Sequence, residues 1–178
     1  MNSTPAAIPA RWLKCLKTLK MGYDFSGIFT NEIGSDLIRD AKSKWHFIKA
    51  MKVDTPFLGL ALINYVTPSF GWEKEYEEDY DIREEQHYRL EDEILDFSKK
   101  FSSATFVFIR VECFGGTCIY SGFSCKNGLL LSNPKNEDYK GSDDNIQNKK
   151  LIALFKDLNV KIPDTGYFEP FTRGYFER

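Results

Sequence analysis

The chain has 178 residues, 42% of them hydrophobic and 15% aromatic, which is enough apolar material for one buried core and too much for a chain disordered along its length. A net charge of −2 argues against a general nucleic-acid binder, and no run approaches the roughly 20 apolar residues of a membrane span. Four cysteines (Cys15, Cys113, Cys118 and Cys125) are too few for a disulfide scaffold in a chain this size, so reduced thiols and a cytoplasmic setting are expected.

The N-terminus lacks the uninterrupted apolar stretch of a secretory signal, and residues 1–8 are expected to be disordered. Pro9 suits the first turn of a helix and Gly22 its C-terminal cap, with Trp12, Leu16 and Leu19 at helical spacing and Arg11, Lys14 and Lys17 opposite. Residues 22–34 read as a loop of aromatic and small residues. Ser35 and Asp36 then open a second helix whose buried stripe is Leu37, Ala41, Trp45 and Ile48. His46 lies one position off that stripe, without a second ligand at metal spacing, and reads as a boundary histidine. The run 57–66 is apolar on both parities between two prolines and predicts a strand buried on both faces.

Residues 72–101 predict a long amphipathic helix with Ile82, Leu90, Ile94, Phe97 and Phe101 on one side. Residues 73–96 hold twelve acids against three basic residues, net −9, which leaves +7 for the rest of the chain. His87 stands among Glu84, Glu85 and Glu91 with no ligand spacing that calls for a metal.

Residues 106–125, FVFIRVECFGGTCIYSGFSC, predict a β-hairpin about Gly115-Gly116. With those two in the loop, Phe114 pairs with Thr117 and Cys113 faces Cys118 across the next position. One face then carries Val107, Ile109, Val111, Cys113, Cys118 and Tyr120, an apolar surface expected to be the core. The other carries Phe106, Phe108, Arg110, Glu112 and Phe114, with Ile119, Ser121 and Phe123 opposite. Asn127-Gly128 turns the chain into a third strand at 129–132, completing a meander. After a loop at 133–142, Asp143 and Asp144 introduce a last helix with Leu151, Phe155 and Leu158 as its buried row, and 166–178 form an aromatic tail.

The expected fold is therefore a single α+β domain over 1–178. It has an antiparallel sheet with a β-meander, and helices packed mainly on one face, taken to be that of Val107, Ile109 and Val111. Cys118 and Cys125, seven apart on a strand, point to opposite faces and cannot share a zinc ion with Cys113. Neither histidine is tied in sequence to a cysteine nucleophile, and no phosphate-binding glycine loop, HExxH or GxSxG is present. No metal, cofactor or catalytic residue is assigned. Arg110 and Glu112, two apart on one strand face, form with Phe123 a candidate ligand pocket.

The segment Glu112-Cys113-Phe114-Gly115-Gly116, resuming in Ile119 to Phe123, resembles a strand-FGG-strand segment of small uncharacterised bacterial proteins, some of which look like immunity proteins of toxin systems. That resemblance implies a toxin inhibitor and carries over no catalytic residue. The acid-rich helix fits the same role, because a toxin that handles nucleic acid must present a basic surface to its substrate. The expected function is a cytoplasmic protein-binding protein, not an enzyme, that docks a basic partner through Glu77, Glu78, Asp81, Glu84, Glu85 and Tyr88. Two rival readings are a small enzyme with its pocket at Arg110 and Glu112, and an adaptor docking through the aromatic tail.

Overall fold

The computed structural model of the chain describes residues 22–46, 48–64, 80–114 and 117–162. Six strands form one antiparallel sheet: β1 (Gly22–Thr30), β2 (Ile48–Val53), β3 (Gly59–Asn64), β4 (Thr105–Phe114), β5 (Thr117–Lys126) and β6 (Leu129–Ser132), in the order β2-β3-β1-β4-β5-β6. Among the described residues three helices accompany them: α1 (Ser35–Lys44), α2 (Tyr80–Lys100) and α3 (Asp143–Lys156). The fold is α+β, and none of these helices is long and apolar enough to cross a membrane.

The hairpin has the register its sequence dictates, with Phe114 opposite Thr117 and Cys113 opposite Cys118. Asn127 and Gly128, both with positive φ (50° and 74°), turn the chain into β6, so β4, β5 and β6 form the meander in one half of the sheet. Such a turn needs both central residues in the left-handed region, which glycine and asparagine enter most cheaply. β3 is buried at every position, as its unbroken apolar run requires of an interior strand.

Two layers of core result. Val107, Ile109 and Val111 face Phe25, Phe29, Ala61 and Ile63 on one side of the sheet, where α3 covers them with Leu151, Leu154 and Phe155. Phe29 and Phe155 meet edge to face at 5.3 Å. On the other side Ile28, Leu60, Leu62, Phe106, Phe108 and Phe123 lie under Leu37 and Ala41 of α1 and Leu90, Ile94 and Phe97 of α2. Of the three described helices two lie on the Phe106–Phe108 face and one on the Val107–Ile109–Val111 face, so among the described residues the more heavily covered face is opposite to the expected one. Alternation shows that two faces differ; it does not show which is covered by more helices.

Three further expectations are corrected. Residues 22–30 form no loop: β1 is the strand between β3 and β4, paired along its whole length with β4 from Gly22 opposite Phe114 to Thr30 opposite Phe106. β4 pairs with all of it and β3 with residues 27–30, and Phe25, Ile28 and Phe29 enter the two core layers, a tertiary setting that overrides the weak strand propensity of its glycines and polar residues. The second helix stops at Lys44, before Ile48. Trp45 is its C-cap with extended backbone angles, and Ile48 begins β2. This edge strand exposes Lys49 and Lys52, charges of the kind that discourage edge-to-edge pairing. Finally, Cys113 and Cys118 are joined as a disulfide rather than held as thiols, with Cα atoms 4.0 Å apart, well inside the roughly 7 Å limit of such a bond. The register brings the two sulfurs together, whereas a low cysteine count does not set the redox state of a pair already held in reach. The helix expected at 9–22 and the tail at 166–178 lie outside the described residues, save that Gly22 starts β1.

Candidate functional site

The acid-rich helix is continuous from Tyr80 to Lys100. Acids near its N-terminus and Lys99 and Lys100 in its last turn both agree with the helix dipole. Its C-terminal half shows how the helix is mounted: Leu90, Ile94 and Phe97 are buried against the sheet, while Asp92 and Asp96 are exposed. Positions 81, 85, 88, 92 and 96 recur at three- and four-residue steps and so share one stripe of the helix surface, to which Asp81, Glu85 and Tyr88 belong; Glu84 lies beside it. Glu77 and Glu78 fall outside the described residues.

Not every acid on α2 is available to a partner. The Trp45 indole N–H donates to Glu93 Oε2 at 3.0 Å, and Lys44 stands 3.7 Å from the same oxygen, so Glu93 ties α1 to α2. The Trp45 ring packs on Phe97 at 5.0 Å behind this bond. On the surface, Lys99 holds Asp96 below the usual carboxylate range through a 2.6 Å contact, and Lys100 does the same for Asp40 of α1.

Arg110 and Glu112 form an ion pair along β4, opposite Ser121 and Ile119 of β5. The Arg110 side chain is mostly buried and that of Glu112 is half-exposed. Neither is among the residues that line the cavity described on this face. The concavity of this face lies further along the strands, about 180 Å³ in volume, bounded by Leu90 and Glu91 of α2, Phe108 of β4, Ser121, Gly122 and Phe123 of β5, and Asn133 and Lys135. Phe123 is thus the one residue of the sequence-derived pocket that reaches it. Phe108 and Phe123 contact each other at 5.6 Å and form part of its lining, leaving no slot between the rings. Glu91, Ser121, Asn133 and Lys135 come from three separate segments, and no motif links them in sequence.

Cys125 is the free cysteine among the described residues, buried on the α2 side. Burial pushes its thiol up to about 11, helped by the nearby Glu91 charge and opposed by a hydrogen bond with Ser98. With the folded value raised, only about one molecule in a thousand carries the thiolate at pH 8. Iodoacetamide at that pH is expected to modify Cys125 only after denaturant is added, as read by mass spectrometry. Modification of the native protein at the rate of a free thiol would contradict this burial. Among the described residues no three His, Cys, Asp or Glu side chains are grouped to hold a metal ion.

The architecture is therefore an antiparallel α+β sheet carrying an acid-rich helix on one face and a small mixed-polarity cavity beside it. No family model, curated protein or solved structure matches the chain.

Proposed function

We propose that this chain is a cytoplasmic protein-binding protein, without catalytic activity of its own, that neutralises a toxin in the manner of an immunity protein. The observation that carries the reading is the mounting of α2: Leu90, Ile94 and Phe97 are fixed on the sheet and leave Asp92 and Asp96 exposed, in a segment of net charge −9. A surface of that sign draws in a basic partner from a distance and masks the patch with which the partner would engage phosphate. Of the acids in this segment Glu93 and Asp96 already stand against Lys44 and Lys99, so the docking surface we propose is the acid-rich remainder toward the N-terminal turns of the helix. In the cytoplasm the Cys113–Cys118 bond would exchange with the thiol pair, and alkylation of intact cells reads that balance.

The test replaces Glu77, Glu78, Glu84 and Glu85 together by lysine and uses the toxin domain encoded beside this chain's own gene. Its association rate is expected to fall by about tenfold or more at low salt, and to lose most of its decline between about 50 and 500 mM salt. The denaturation midpoint should hardly move, since exposed acids contribute fractions of a kcal/mol each. Cells making the variant should lose protection. Unchanged association and protection would reduce the acidic stripe to a solvated face and remove the basis of this reading.

A further inference from the structure

The cavity beside α2 has a composition that the docking role does not use. Its volume of about 180 Å³ is below the roughly 300–1,000 Å³ of sites for drug-sized ligands, so any occupant is small. Leu90, Phe108 and Phe123, all buried, give it an apolar lining, while Glu91 and Lys135 supply one charge of each sign and Ser121 and Asn133 a hydroxyl and an amide. Among the described residues neither Glu91 nor Lys135 forms an ion pair, whereas Glu93, Asp96, Asp40 and Glu112 each have a lysine or arginine partner. A purely apolar guest would cover both charges without replacing their water, at a cost in free energy. A ligand with only one charge would satisfy one side chain and leave the other.

We infer that this cavity binds a free α-amino acid with a medium-sized apolar side chain. The ammonium group pairs with Glu91, the carboxylate with Lys135, Asn133 and the Ser121 hydroxyl, and the side chain lies on Leu90, Phe108 and Phe123. Charge-assisted hydrogen bonds of this kind are about twice as strong as neutral ones and fix the orientation of the ligand. The apolar contact separates leucine from glycine, which has the same charges and no side chain to bury. Glu91 stands at the start of the last three turns of α2, so an occupied cavity would also report on the helix that carries the acidic stripe.

The experiment titrates the full chain with leucine, methionine and phenylalanine, and separately with glycine, 4-methylpentanoate and isopentylamine, following the amide resonances of Ser121, Gly122 and Phe123 and the heat of binding. At least one of the three apolar amino acids is expected to saturate in the range of about 1 mM or below, the affinity open to so small a ligand, with glycine at least tenfold weaker. Glu91→Gln should weaken the amino acid about tenfold without affecting 4-methylpentanoate, and Lys135→Met should do the same without affecting isopentylamine. Both sites are on the surface side of the cavity, and an unchanged unfolding midpoint confirms that each variant is folded. The inference is overturned if none of the three amino acids saturates, if glycine binds as well as they do, or if both variants bind the amino acid as tightly as the parent chain. None of these results bears on toxin docking, which is read by the lysine variants above.

Discussion

Val111→Asp is expected to leave the protein unfolded at room temperature, while Glu112→Ala, one residue along the same strand, remains folded. Val111 is 1% exposed between Phe25 of β1 and Tyr120 of β5 and belongs to the layer closed by α3. A carboxylate there has neither water nor a cation, so the folded state must hold an unpaired charge or a protonated acid in a cavity shaped for a branched hydrocarbon. The cost exceeds about 4 kcal/mol, a large share of the stability of a domain this size. Glu112 points the other way, is 40% exposed and gives up only its pairing with Arg110. That loss is worth about 1 kcal/mol, or about 2–4 °C in Tm. Circular dichroism during thermal unfolding distinguishes the two. Equal destabilisation would mean that Val111 is not in the core.

The second large effect concerns Gly122 on β5. Its φ is 152°, a region that side-chain-bearing residues rarely adopt, and it sits opposite Ile109 in the tightest part of the β4–β5 ladder. A Cβ at this position would overlap the carbonyl oxygen of Phe108 and stand 3.0 Å from the Ile109 Cα, both of them backbone atoms that cannot swing aside. Gly122→Ala is expected to cost about 4 kcal/mol, combining about 1–3 for the backbone conformation with about 1–3 for overpacking. Ser121→Ala next to it should be neutral within about 0.5 kcal/mol, because that residue is exposed. Urea denaturation measures both, and an alanine at 122 as stable as glycine would show that the two strands do not approach as described.

These two positions also show what the sequence could and could not disclose. The hairpin was legible because a glycine pair, strict alternation and two cysteines at mirrored distances admit one register. β3 and α3 were legible from an unbroken apolar run and from Leu151, Phe155 and Leu158. β1 was not, since Gly-Tyr-Asp-Phe-Ser-Gly has the local grammar of a loop and becomes a strand only through distant partners, β4 along its whole length and β3 from Gly27 onward. β2 was hidden because Ile48 falls in phase with Leu37, Ala41 and Trp45, so a helical stripe ran on through a residue that belongs to the sheet. The cavity beside α2 was not legible for a related reason: it draws its polar groups from α2, β5 and the segment after β6, which only tertiary structure unites.

The position of β1 has a consequence for the order in which the molecule can assemble. It leaves the ribosome before the other five described strands, yet Gly22 must await Phe114 and Thr30 must await Phe106, while its other side takes β3 from Gly27 onward. A nascent chain ending before Thr105 holds β1 with one side unpaired, so Phe25 and Phe29 lack Val107, Ile109 and Val111 in their layer. Closing so long a stretch of chain forfeits entropy before any of these contacts repay it, and domains dominated by distant pairings fold slowly for that reason. The β4–β5–β6 half is thus added to the β2–β3–β1 half late in synthesis. Until β4 emerges, β1 presents an open edge that needs protection from other chains.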